Sequence, residues 1–173
     1  MTEEKKEINK VEIKCIRNGF KMEDAFQRLY KRSKHFTIEN MDLLFYPYLL
    51  IEYEVKFRGK LEKLSETVLV LCDMWRGQFS MAKTAGDFTK IQVDESSLIP
   101  VKYDKERAIK EGPRTVYGEI QAKKKVLNIP DIEYLYDELI YKPFYIVECK
   151  NDEQEVFHIL FDAVNGDFSL LNA

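Results

Sequence analysis

Two stretches of this chain read almost alike, and no other feature limits its fold so tightly. Phe45-Tyr46-Pro47-Tyr48-Leu49-Leu50-Ile51-Glu52-Tyr53 matches Tyr141-Lys142-Pro143-Phe144-Tyr145-Ile146-Val147-Glu148-Cys149 at an offset of 96 residues. Further on, Val68 to Ser80 matches Phe157 to Ser169 at an offset of 89, with Asp73 against Asp162 and Gly77 against Gly166. The offset changes between the blocks, where the first copy carries a longer arm around Lys56 to Lys63. A weaker third match sets Met22-Glu23-Asp24-Ala25-Phe26 against Lys105-Glu106-Arg107-Ala108-Ile109, each opening a candidate helix. Three blocks in one order point to an internal duplication, with a flexible segment at 1–10, a first repeat at 11–96 and a second at 97–173.

Periodicity supplies the elements. Val11, Ile13 and Cys15 alternate with polar residues, the two-residue period of a half-buried strand. Ala25, Phe26, Leu29 and Tyr30 form one stripe of a helix from Met22 to Lys34. Leu49, Ile51, Tyr53, Val55 and Phe57 share a strand face opposite Glu52, Glu54 and Lys56. Asp73 opens a turn that Gly77 ends, since Asp bonds its own backbone and Gly accepts positive φ. The second repeat predicts a strand at Leu98 to Tyr103, a helix capped by Asp104 and broken in two by Gly112-Pro113, then strands at Ile132 to Cys149, Val156 to Phe161 and Asp167 to Leu171. The expected fold is α+β: two helix-plus-antiparallel-sheet units packed together.

A helix followed by a hairpin whose turn reads Asp-x-x-x-Gly, here Asp73 with Gly77 and Asp162 with Gly166, resembles the PepSY family of cystatin-like α+β modules, often found in tandem. That resemblance implies a non-catalytic regulatory or inhibitory role. It does not account for the Tyr-x-Pro-aromatic block, and the family is often secreted or membrane-tethered.

This chain begins instead on a polar charge mixture and has no run approaching the 18 apolar residues of a membrane span. Its three cysteines, Cys15, Cys72 and Cys149, form no close pair, so neither a disulfide scaffold nor a zinc cluster is expected. The reading is a cytoplasmic protein without transmembrane segment.

Candidate chemistry is thin. No phosphate loop, nucleophile elbow or dinucleotide fingerprint occurs, and no cofactor or metal is expected. His158 lies in a strand where the first repeat has Leu69, a position that suits a structural histidine. Glu52 and Glu148 occupy equivalent positions, which would serve acid/base chemistry or a cation site if a two-fold arrangement joined them; otherwise they are polar strand faces. Net charge is +1 over residues 1–101, +4 over 102–125 and −8 over 126–173. Lys105, Arg107, Lys110, Arg114 and Lys123 to Lys125, with Arg28, Lys31, Arg32 and Lys34, could contact phosphate, but a sequence pI of about 5.6 and the acidic tail oppose nucleic-acid binding.

Aromatics cluster at the two Pro blocks, where Tyr48 and Phe144 are core fillers that can also anchor a partner. Trp75 falls in a turn, where its indole either folds back over the adjacent hairpin or, if exposed, contacts a partner. The sequence therefore points to a binding or regulatory module for a protein or peptide, with Trp75, Glu52, Glu148, Tyr48 and Phe144 as candidate contacts. Two alternatives stand beside it: a small hydrolase or ligand-binding enzyme using Glu52, Glu148 and His158, and a structural component of a larger assembly. Either a monomer or an oligomer fits.

Overall fold

The computed structural model describes residues 9–32, 35–58, 63–84, 86–123 and 129–171. Among them, 56% are in strands and 22% are helical. In chain order the elements are β1 (Lys10–Ile16), α1 (Met22–Arg32), β2 (Phe36–Arg58), β3 (Lys63–Asp73), β4 (Phe79–Ala82), β5 (Phe88–Asp94), α2 (Lys105–Lys123), β6 (Asp131–Asn151), β7 (Val156–Asp162) and β8 (Phe168–Leu171). Strand order is β4-β3-β2-β6-β1-β5, with β7 pairing β6 and β8 pairing β7. β1 with β5, β2 with β3, β3 with β4, β6 with β7 and β7 with β8 pair antiparallel, and β1 meets β6 in parallel at Cys15 and Tyr141.

This corrects the expected fold class. The chain is a mostly β protein with a large mixed sheet of eight strands and two helices, not a duplicated helix-plus-sheet α+β unit. The physical reason lies in β2 and β6, strands of 23 and 21 residues that are each divided between the two compact units, β2 at Tyr46 and Pro47 and β6 at Ile140 and Tyr141. Each long strand then serves both compact units. One unit holds Met1–Tyr46, Asp87–Ile99 and Tyr141–Ala173; the other holds Pro47–Gly86 and Pro100–Ile140. Both draw on segments from either side of residue 97.

The sequence blocks nevertheless share local geometry. Asp73 N–H donates to the Gln78 carbonyl and Gly77 N–H to the Asp73 carbonyl; Asp162 N–H donates to Asp167 and Gly166 N–H to Asp162 in the same way, all at 2.8–2.9 Å. Each Asp carboxylate accepts from two turn amides, Trp75 and Arg76 for Asp73, Val164 and Asn165 for Asp162. Met74 N–H reaches the Pro47 carbonyl as Ala163 N–H reaches that of Pro143. Gly77 and Gly166 sit at φ +69° and +77°, a conformation that costs a residue with a Cβ. Phe20 packs beneath Gly166, 2.7 Å from where a Cβ would lie, and Tyr103 packs beneath Gly77.

In the unit containing Pro47–Gly86, α2 buries Ala108, Gly112, Val116 and Ile120, a stripe at four-residue spacing, and its apolar side chains pack with Leu49, Ile51, Val55, Val70 and Cys72. Asp104 caps it, accepting from Arg107 N–H at 2.7 Å. Contrary to the expected break, α2 is one helix through Pro113. Pro113 has no N–H for the Ile109 carbonyl four residues back, and the Tyr53 hydroxyl donates to that carbonyl instead. Gly112 leaves room for the Tyr53 ring.

In the other unit, Ala25 and Leu29 of α1 pack on Tyr145, Val147, Cys149, Ile159 and Phe161, while a neighbouring cluster joins Ile13, Cys15, Phe45, Val93 and Tyr141. Fully burying one such aliphatic or aromatic side chain stabilises by about 1.5–3 kcal/mol. The expected strand at Leu98 to Tyr103 is absent: only Leu98 forms a bridge, to Phe45, and Pro100 cannot donate to a ladder. The expected flexible segment overlaps residues 1–8, and the tip of the longer arm (59–62) and Lys34, Lys124 and Lys125 of the basic segments also lie outside the described residues.

Candidate apolar groove between α1 and β8

β8 is short because its ladder with β7 spans four residue pairs, Phe161–Phe168 to His158–Leu171. Among the described residues nothing pairs with its other edge, so a row of backbone N–H and C=O groups stays open there. Beside that edge lies a hollow of about 440 Å³, within the range of small-ligand and peptide side-chain sites. It is lined by Leu29 and Arg32 of α1, Phe157 and Ile159 of β7, and Phe168 and Leu170 of β8. Phe36 also lines it, edge-on to Phe157 with ring centroids 5.4 Å apart. The apolar side chains are there because α1 has only one narrow buried stripe, Ala25 and Leu29, and the strands it covers extend past it. Leu170 keeps 63% of its surface exposed, a large value for leucine beside a core.

Electrostatics at the groove are one-sided. The Arg32 guanidinium sits 5.5 Å over the Phe168 ring and Arg28 sits 5.1 Å over Phe20, contacts that use the rings' negative faces. Among the described residues no carboxylate pairs with Arg32 or Arg28. Asp152 pairs with His35 at 3.5 Å, and the Asp162 carboxylate, which caps its own turn, meets Lys142 Nζ at 2.5 Å.

The residues expected from sequence are placed as follows. Trp75 is half-buried, with Lys102 Nζ only 3.4 Å from its ring centroid, so its indole is covered on one face instead of standing free. Glu52 stands opposite Leu69 on β3 and Tyr48 opposite Asp73, both half-buried. Glu148 stands opposite His158 across β6 and β7, its carboxylate 3.6 Å from Nε2, with both side chains over two-fifths exposed. Phe144 packs edge-on to Tyr46 at 6.3 Å and lines a smaller hollow of about 210 Å³ with Leu160, Asp162 and Phe168. Glu52 and Tyr48 belong to one compact unit, Glu148 and Phe144 to the other.

Burial pushes the Cys15 and Cys149 thiols up to about 11 and the Cys72 thiol up to about 12, Asp73 adding to the last. A thiol so far from ionising is a core hydrophobe and not a nucleophile. Among the described residues no three His, Cys, Asp or Glu side chains gather as a metal site, and no helix is long and apolar enough to cross a membrane.

Sequence reasoning missed Phe36, Phe157 and Leu170, and named Arg32 only as a cation that could contact phosphate. Arg32 read as one of several helix cations and Leu170 as strand filler; their approach is a product of tertiary packing across the chain, with no local signal. Compared with known protein families, characterised proteins and solved structures, the chain matches none.

Proposed function

We propose that this protein is a non-catalytic binding module that recognises an extended peptide segment of a protein partner, taken up as an added strand on β8 with one side chain in the α1–β8 groove. The observation that carries this reading is the conjunction of an open strand edge with an apolar groove beside it. Main-chain pairing along an edge gives affinity in such modes, and a pocket for alternate side chains gives selectivity. The Asp-x-x-x-Gly hairpins, resembling those of PepSY modules, support the same regulatory role. Three buried, unpaired cysteines agree with a reducing, cytoplasmic setting.

The test is selection of a random-peptide phage library on the full chain. Recovered peptides should bind the wild type and weaken about tenfold or more on Leu170→Gln, the cost of losing one buried aliphatic contact. Trp75→Ala should leave binding unchanged. No enrichment over an unrelated immobilised protein, or binding indifferent to position 170, would contradict the reading.

A further inference from the structure

The geometry points to a specific partner chemistry for this groove: an extended segment with an Asp or Glu two residues from the apolar side chain that enters the groove, the carboxylate pairing with Arg32. The inference rests on the strand-addition reading above and adds the residue that sets specificity.

Side chains at i and i+2 of a strand project to one side, about 6.5–7 Å apart along it. A segment added to β8 that drops an apolar residue between Leu29, Ile159 and Leu170 therefore sends its next same-side residue along the groove wall. That wall carries Arg32. Arg32 is exposed, keeps its guanidinium over Phe168, and has no carboxylate partner among the described residues. A guanidinium held on an aromatic face still has its edge N–H groups free to donate, and its planar fork suits a carboxylate. Arg28 and Lys31 of the same helix reinforce the positive field. A basic residue at the partner's second position would meet like charge, so the groove rejects as well as attracts. A C-terminal carboxylate could reach the same guanidinium, but the β8 edge runs four residues beside the groove and accepts a segment that continues past it.

The experiment uses the same library, whose peptides are fused through their C-termini and so present only side-chain carboxylates. Enriched sequences should place Asp or Glu two residues from a Leu, Ile, Phe or Val. Their affinity for the wild type should fall as salt rises from about 0.05 to about 0.5 M. Arg32→Gln should weaken them several-fold and Arg32→Glu more than tenfold, and Arg32→Glu should instead enrich Lys or Arg at that position. Both variants should melt with the wild type, position 32 being exposed. Peptides that need Leu170 yet show no acidic preference and bind Arg32→Glu equally would overturn this inference while leaving strand addition intact. Absence of any enriched peptide would overturn both.

Discussion

The Tyr53 hydroxyl donates a 2.6 Å hydrogen bond to the Ile109 carbonyl, the backbone acceptor that Pro113, four residues on, cannot serve. A β-strand side chain thus completes a helix that its own sequence interrupts, and burial of that hydroxyl pushes the Tyr53 pKa well above the usual phenol range.

Tyr53→Phe should therefore destabilise the fold by about 1–2 kcal/mol, because it strands a part-buried carbonyl and does not merely delete a hydroxyl. In a Pro113→Ala background the helix regains its own donor, and the same substitution should cost much less. Urea midpoints of the four proteins give the coupling directly. Equal costs in both backgrounds would refute the pairing of Tyr53 with the proline.

Gly112→Ala would raise the stability of an ordinary exposed helix by about 1 kcal/mol. Here the added Cβ would strike the Tyr53 hydroxyl, so the variant should lose stability, as read by thermal melting. A stabilised variant would show that Tyr53 and α2 are not packed as described.

Gly166→Ala should cost about 1–3 kcal/mol, since the new Cβ is placed both at φ +77° and against the Phe20 ring. Gly77→Ala, at φ +69° above Tyr103, should behave alike. Calorimetric melting of the two variants checks whether the two Asp-x-x-x-Gly turns carry equal strain; loss at only one would mean that the match between them ends at the hydrogen bonds.

The buried thiols make alkaline stability predictable in sign. Their folded pKa values, about 11 for Cys15 and Cys149 and about 12 for Cys72, exceed the ordinary 9.0. Above pH 9 the unfolded chain releases protons that the folded chain retains, so this contribution is complete below about pH 9 and is lost as pH climbs through 11 to 12. Urea midpoints should fall over that interval, and less steeply in Cys72→Ala. Rapid alkylation of all three thiols in the native protein at pH 8 would contradict their burial.

Much of the chain was legible because its period is strong. Alternation at Val11, Ile13 and Cys15 and at Leu49 to Phe57 reflects a single face meeting a single core, whereas of the expected helix stripe only Ala25 and Leu29 are buried and Phe26 and Tyr30 are exposed. The turns at Asp73 and Asp162 were legible because a side chain bonds backbone two and three residues away. β5 carries the same signal, Ile91 and Val93 alternating with Lys90 and Gln92, although no strand was expected there.

What failed to show was long-range. Pro113 looked like a break because its rescuer, Tyr53, lies on another element. Two similar halves suggested two self-contained units, whereas β2 and β6 each contribute to both compact units. The groove shows least of all, since Arg32 and Leu170 stand at opposite ends of the chain and meet only across the packed α1 and β8.

The most direct measurement of strand addition is hydrogen exchange of the full chain with and without a selected peptide. Bound peptide should slow exchange at alternate amides within Phe168–Leu171, whose outer edge pairs with none of the other described residues, and leave Phe79–Ala82 of β4 unchanged. Saturating peptide that leaves the β8 amides exchanging at their free rate would contradict the account.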